Sequence, residues 1–352
     1  HTGCMALIGH TLAKAPEWRR KRVKKMYKMK ITNKIALLLA LCCVVCSCTK
    51  EDLSQCGEPY NVELSFSYTL NVDQEDKFAD QVKALGLYIF DGSGKYVGYQ
   101  SAQKITFGKD YTMKIRLEPG IYDFVAWANA DETVYQVCDG ANKQLPLEMS
   151  KSTFAEAVLL LKNPNGVVNT ELPNLFHGMA SRVEIKETGL QRQKIMLVKN
   201  TNIINIKLQN TASVLKTVKS TGKATKATAQ LEVELTGDNG HMAFDNSLVA
   251  GMPQVLYNPY KTVGGTDFGL SVLRLRMEQP MMMRVVHPTR GTKVLERDLT
   301  QLIIKAGIIK TNEDFDRIDN YDIVIAFGDT ASAEATITIN GWLVERPESD
   351  LN

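Results

Sequence analysis

Hydrophobic and polar positions alternate along most of the chain, and this pattern predicts β-strands. The first clear case is Asn61–Leu70, where Val62, Leu64 and Phe66 share one face and polar residues occupy the other. A period of two places successive side chains on opposite faces of a sheet. The segment is therefore predicted to be a strand with one buried face.

The first half continues as strands separated by turn residues. The turn Asp91-Gly-Ser-Gly94 predicts a hairpin, and Ile121–Asn129 is apolar on both faces, which predicts a central strand. A short helix is predicted at Thr153–Leu161. The other strands are predicted at Val82–Phe90, Lys95–Tyr99, Tyr111–Leu117, Leu172–Phe176 and Met179–Lys186.

The second half repeats this rhythm after a boundary between Leu190 and Thr201, with one amphipathic helix at Leu299–Ala306 and a polar loop or hairpin at Thr211–Thr228. Many short strands with regular turns indicate β-sandwiches. The chain is thus predicted to be all-β, with domains at 61–192 and 193–352 and one or two short helices. The predicted strands are Asn202–Leu208, Leu231–Leu235, Leu270–Met277, Met281–Val286, Tyr321–Phe327 and Ala335–Val344.

The beginning of the chain has the pattern of a secretory leader. Residues 1–28 are interpreted as an upstream extension absent from the mature protein, and residues 29–47 as a signal peptide whose apolar run, Ile35–Val45, is about half the length of a membrane span. Ser47-Cys48 resembles a bacterial lipobox, with cleavage after Ser47 and acylation of Cys48; the alternative is an ordinary signal peptide with a chance cysteine. Residues 48–60 would then form a lipidated tether.

Two further features of the leader bear on location and partners. Residues 49–52, Thr-Lys-Glu-Asp, resemble the signal that sends Bacteroidetes lipoproteins to the outer face of the outer membrane. The first 47 residues hold ten of the 42 Lys and Arg residues and one of the 39 acidic residues, so the remainder has an excess of about six negative charges. A mildly acidic folded part argues against a nucleic-acid partner, which requires a clustered basic face.

Seven cysteines are present, and five of them lie at or before Cys48. This leaves Cys56 and Cys138 in an oxidising compartment, where they either form a disulfide or stay as two unpaired thiols.

No arrangement of residues predicts an enzyme, a metal site or a cofactor. His177, His241 and His287 are far apart in the sequence and are interpreted as surface or turn histidines. The acidic segment 313–322 is interpreted as a solvated loop, and Met281–Met283 as core. Asp329-Thr330-Ala331 matches a short O-glycosylation signal at Thr330, while Trp127 and Trp342 are interpreted as core anchors.

Four segments together resemble a known family: residues 51–57 behind the lipobox, Val82–Gly92, Leu117–Asn129 and Ile337–Trp342. They resemble the Bacteroidetes fimbrial anchor and assembly proteins, FimB-like, also called fimbrillin-A-associated anchor proteins. The resemblance implies two tandem transthyretin-like β-sandwiches, lipidated at the N-terminus, that hold a fimbrium to the outer membrane. It does not imply an enzyme. It implies that the partners are major or minor stalk fimbrillins.

The resemblance also helps to distinguish an anchor protein from a stalk subunit. Stalk fimbrillins are matured by a protease that is often arginine-specific, and no Arg occurs between Cys48 and Arg116, which favours the anchor. The last predicted strand, with Ile337, Ile339, Trp342 and Leu343, is a candidate donor strand for exchange with a neighbouring subunit; alternatively it is a core strand of its own sandwich. The alternative function is a glycan-binding surface lipoprotein of a polysaccharide-uptake system.

Overall fold

The structure is a computed structural model that describes residues 60–103, 106–140, 145–162, 166–216, 230–287, 292–328 and 334–346. Strands make up most of these residues, and the four helices that they contain are short. The prediction of an all-β fold with two tandem β-sandwiches is confirmed.

The first sandwich is built from one sheet of seven strands, in the order β3-β2-β5-β9-β10-β1-β4, which bends so that its two ends form the two layers. Strand β10 joins its two layers, because Gln191–Met196 pair with β1 and Leu197–Lys199 pair with β9. Apolar residues of β1 and β4 therefore share a core with those of β2, β5 and β9. The strands are β1 Val62–Ser67, β2 Ala84–Asp91, β3 Tyr96–Gln103, β4 Thr112–Ile115, β5 Gly120–Ala128, β9 Phe176–Ile185 and β10 Gln191–Lys199, with helix α1 at Phe78–Gln81.

Two strands of this sheet confirm predictions from the sequence pattern. The strand predicted at Asn61–Leu70 is β1, and it is paired on both sides, parallel to β10 and antiparallel to β4. Strand β5 lies between β2 and β9. Its Phe124 and Ala126 face the core of the first sandwich, whereas Val125 and Trp127 belong to a second core on the opposite face.

The second sandwich packs a sheet of six strands against a sheet of five. The six-stranded sheet has the order β15-β16-β11-β19-β20-β21, with strands β11 Thr201–Gln209, β15 Lys261–Val263, β16 Asp267–Leu273, β19 Asn320–Phe327, β20 Ala335–Ile339 and β21 Trp342–Glu345. The five-stranded sheet has the order β18-β17-β12-β14-β8, with strands β8 Val167–Val168, β12 Glu232–Gly237, β14 Val255–Tyr257, β17 Met282–His287 and β18 Thr292–Asp298.

A small third sheet, in the order β13-β7-β6, covers the second face of β2 and β5. Its strands are β6 Tyr135–Asp139, β7 Ala157–Leu161 and β13 His241–Ala243. Pairing of β13 with β7, and of β14 with β8, joins segments from the two sides of the predicted boundary. The division at 61–192 and 193–352 stays a prediction.

The helix predicted at Thr153–Leu161 is wrong. Residues 157–161, Ala-Val-Leu-Leu-Leu, form β7, in which every residue is buried and which pairs with β6 and β13. A short apolar run has no period that distinguishes a buried strand from a buried helix. The strand predicted at Leu172–Phe176 is also wrong, since strand structure begins only at Phe176, although Leu172 and Leu175 are buried.

Three helices follow the first sandwich. Helix α2, Thr211–Lys216, starts the polar stretch, of which residues 217–229 lie outside the described part. The helix predicted at Leu299–Ala306 is confirmed as α3, Leu299–Lys305, whose N-cap Asp298 accepts a hydrogen bond from the backbone N–H of Gln301 at 3.2 Å. The acidic segment predicted as a loop begins instead with α4, Asn312–Arg317.

Candidate functional site

The segment predicted as one strand, Ala335–Val344, is two strands joined by a tight turn. Asn340 and Gly341 both have positive φ, 48° and 82°, as a two-residue type I′ hairpin requires. The Asn340 side chain accepts a hydrogen bond from the backbone N–H of Asp322, and its own N–H donates to the Asp322 carbonyl, both at 2.8 Å. The single-strand prediction is therefore wrong, and the Asn-Gly dipeptide is the sequence signal that indicates the hairpin.

Strand β21 ends the six-stranded sheet and presents apolar side chains to solvent. Trp342 is 62% exposed and Leu343 is 44% exposed, whereas the next residue, Val344, is buried. The interpretation of Trp342 as a core anchor is wrong, because it directly follows the turn and the core does not enclose it. The same interpretation of Trp127 is confirmed, since that residue is buried.

An ion pair holds β21 against the other sheet of its sandwich. Nε of Arg297, in β18, lies 2.8 Å and 3.0 Å from the two carboxylate oxygens of Glu345, in β21. This hydrogen bonding raises the pKa of the Arg297 guanidinium above its ordinary value. β18 and β21 are the last strands of their sheets, so the pair links the two edge strands at one point near the end of β21.

The four predicted donor-strand residues fall into two groups. Ile337 and Ile339 are fully buried in β20, which is paired with β19 on one side and β21 on the other. Trp342 and Leu343 are exposed in β21. The structure therefore separates a buried strand from an accessible edge, and a donor role for these residues stays a prediction.

Most residues of the predicted lipid and modification sites lie outside the described residues: Ser47, Cys48, Cys56 and Thr330. Cys138 is described, and its side chain is fully buried beside Val158 and Leu160. This burial raises the pKa of the thiol to about 11. The disulfide between Cys56 and Cys138 stays a prediction.

The interpretation of the histidines as surface or turn residues is wrong for two of them, since His177 and His287 are buried. Nε2 of His177 lies 2.9 Å from the carbonyl oxygen of Phe244, and a carbonyl only accepts, so Nε2 carries the proton. Desolvation lowers the pKa of His177 to about 4. Within the described residues, no group of three or more His, Cys, Asp or Glu side chains is arranged to hold a metal ion.

Part of the acidic segment predicted to be solvated is instead partly buried and forms an ion pair. The carboxylate of Asp316, in α4, accepts three hydrogen bonds of 2.8–3.0 Å from the guanidinium of Arg274 and lies 3.2 Å from that of Arg276. Arg274 also donates to the backbone carbonyl of Asn246, beside β13. The cluster holds α4 against the core and is structural. The interpretation of Met281–Met283 as core is confirmed for Met281 and Met283, which are buried.

In the described part of the chain, no helix is long and apolar enough to cross a membrane. The described residues thus form two tandem β-sandwiches, and among them β21 is the last strand of its sheet, with exposed apolar side chains. The chain belongs to the family of fimbrillin-A-associated anchor proteins Mfa1 and Mfa2, whose family model matches residues 53–346. Its role is therefore associated with a fimbrium and with adhesion at the cell surface.

Solved structures share this fold. A protein from Bacteroides thetaiotaomicron described as a candidate polysaccharide-binding protein is 24% identical, with a TM-score of 0.68 over 83% of this chain and 99% of that chain. The fimbrial anchor protein Mfa2 from Porphyromonas gingivalis is 18% identical, with a TM-score of 0.65 over 81% and 98%. A candidate adhesin from Bacteroides ovatus is 18% identical, with a TM-score of 0.65 over 80% and 94%. Comparison with curated proteins finds no match.

Proposed function

We propose that the protein is a non-enzymatic surface lipoprotein, held in the outer membrane by lipid on Cys48, that anchors or nucleates a fimbrium through β-strand exchange with fimbrillin subunits. The observation that carries the proposal is the open edge of β21 with exposed Trp342 and Leu343. Membership of the fimbrial anchor family supports fimbrillins as the partners.

An edge strand is suited to this task because its outward N–H and C=O groups can pair with an extended segment of another chain. Large aromatic side chains supply much of the binding free energy of protein interfaces. Trp342 and Leu343 supply apolar surface beside the edge, and a strand added there would leave the protein's own core intact. We therefore propose that β21 accepts a strand from a fimbrillin.

Donation of β20 by this protein is the alternative direction of exchange. Ile337 and Ile339 are fully buried, and burial of each such side chain contributes about 1.5–3 kcal/mol. Withdrawing β20 would lose this free energy and expose the facing core. The first sandwich offers no free place for an incoming strand next to β1, because β1 is paired on both sides.

The acceptor edge can be tested with a double variant, Trp342→Ala with Leu343→Lys, in capture of purified fimbrillins by the full chain. We expect affinity to fall at least about tenfold, because the apolar contact is lost and a lysine discourages edge pairing. The matched control is Val263→Lys, since Val263 is 54% exposed in β15, at the opposite edge of the same sheet. Equal capture by the double variant and the control would contradict the proposed edge.

A reversible disulfide can distinguish acceptance of a strand at β21 from donation of β20. Val324 and Thr338 face each other in the pairing of β19 with β20, so Val324→Cys with Thr338→Cys would allow a disulfide that keeps β20 in its own sheet. We expect the oxidised protein to capture fimbrillins as well as the reduced protein. Loss of capture on oxidation, with recovery on reduction, would instead show donation of β20.

A further inference from the structure

A small cleft lies where the third sheet stops covering the first sandwich. On β2, residues Ala84, Gly86, Tyr88 and Phe90 share one face, opposite the core face of Leu85, Leu87 and Ile89. The rings of Tyr88 and Phe90 pack against Phe244, with centroids 5.2 Å and 5.6 Å apart. Towards Gly86 and Ala84 the side chains become small, and a cleft of about 260 Å³ remains.

Tyr99 of β3 forms one wall of this cleft. Its side chain is 46% exposed, and its ring lies 4.7 Å from that of Tyr88, measured between centroids. A Cβ atom at Gly86 would lie only 3.0 Å from the Tyr99 hydroxyl, so the glycine allows the ring to lean across β2. An aromatic ring is thus held in a fixed position with part of its surface open to a ligand.

The cleft also has four polar lining residues of mixed charge, beside apolar ones that include Leu85, Ala130 and Val137. Gln103, Glu132, Gln136 and Lys162 surround the opening, which provides amide and carboxylate groups that donate and accept hydrogen bonds. The Lys162 ammonium already donates to the backbone carbonyl of Glu132 at 2.6 Å. One acid and one base give the rim no net charge, which does not favour an anionic or cationic ligand.

We propose that this cleft binds one neutral sugar unit of a glycan, a function beyond fimbrial anchoring. A sugar ring has an apolar face that packs on an aromatic ring, and hydroxyl groups that both donate and accept hydrogen bonds. The cleft combines one exposed tyrosine with polar side chains of both kinds. Its volume is smaller than the roughly 300–1,000 Å³ of sites for drug-sized ligands, so it suits a single ring.

The test uses the detergent-solubilised full chain on an array of neutral and acidic glycans, followed by titration with glucose, galactose, mannose and N-acetylglucosamine. We expect binding of at least one neutral sugar, and a loss of about tenfold in affinity for Tyr99→Ala. Met196→Ala is the control, because it removes an exposed apolar side chain that does not line the cleft and should leave sugar affinity unchanged.

A measurement of fimbrillin capture distinguishes failure of the sugar-binding proposal from failure of the proposed anchoring function. Tyr99→Ala should capture fimbrillins as well as the unmodified chain, with an unchanged melting temperature. Absence of binding to every neutral sugar by the folded protein, or equal sugar affinity of Tyr99→Ala, would overturn the proposal. Loss of fimbrillin capture in Tyr99→Ala without any sugar binding would also overturn it and would assign the cleft to the fimbrial interface.

Discussion

His177 lies in β9, where its ring is buried against Trp127, with centroids 4.7 Å apart. Its Nε2–H donates to the Phe244 carbonyl, which follows β13 in the chain, so the imidazole links the first sandwich to the third sheet. Burial is the main cause of its lowered pKa, the hydrogen bond to Phe244 opposes the shift, nearby Arg274 lowers the pKa further, and Asp245 raises it. The folded state therefore favours the neutral form of the His177 imidazole.

This environment predicts an acid-labile contribution to stability. Because folding lowers the pKa of His177 from 6.5 to about 4, its contribution is complete above pH 6.5 and is lost as pH falls towards 4. The loss should reach about 3 kcal/mol, and His177→Gln should remove this part of the pH dependence. Urea unfolding of both proteins between pH 7.5 and pH 4 measures it. Parallel curves for the two proteins would refute the assignment, since they share all carboxylates.

At the scale of elements, the β20–β21 hairpin determines whether a free edge exists. Its turn is fixed by the conformation of Asn340 and Gly341 and by two hydrogen bonds to Asp322, near the start of the neighbouring strand β19. This arrangement positions β21 as the last strand of the sheet. The turn is therefore the local feature on which the proposed acceptor edge depends.

We expect Gly341→Ala to reduce the free energy of unfolding by about 1–2 kcal/mol, because a side chain at φ 82° is strained. Thermal or urea unfolding of the purified chain measures this loss, and fimbrillin capture should weaken with it. Gly108→Ala is the matched control, since no atom lies within 4 Å of a Cβ at that exposed position. A Gly341→Ala protein as stable as the Gly108→Ala control would contradict the proposed role of the turn.

At the scale of the whole molecule, the two sandwiches are joined by more than the chain connection between β10 and β11. Strand β7 pairs with β13 and β8 pairs with β14, and one core contains residues of β5, β7, β12 and β19. The cluster of Arg274, Asp316 and Asn246 adds polar contacts beside it. Continuous sheets and a shared core suit the proposed anchoring role, in which force would pass between a fibre and the membrane.

Anchoring itself is tested at Cys48. Since Cys48 follows a small residue at the end of the apolar leader, Cys48→Ala should shift the protein from the membrane fraction to the soluble or secreted fraction. Incorporation of labelled fatty acid should be lost with it. Cys46→Ala is the matched control, because Cys46 lies two residues earlier and should not affect lipidation. Continued labelling of the Cys48→Ala protein would reject acylation at this residue.

Local patterns of the chain predicted β1 from alternation, β5 from an apolar run and the turn at Asp91–Gly94 from its glycines, because such patterns are local properties of the sequence. The family resemblance also followed from local segments, and the family match bears it out. The Asn-Gly turn was present in the sequence as well, but the flanking Ile, Trp and Leu residues concealed it within one apolar run.

Only the tertiary structure decided which side chains are enclosed. Trp342 is exposed and Trp127 is buried, although both lie in apolar strands, because exposure depends on what packs over a strand. For the same reason β7 is a strand, since two distant segments pair with it, and Asp316 is partly buried, since Arg274 neutralises it from another element. These outcomes depend on contacts between residues far apart in the chain, which a local pattern does not contain.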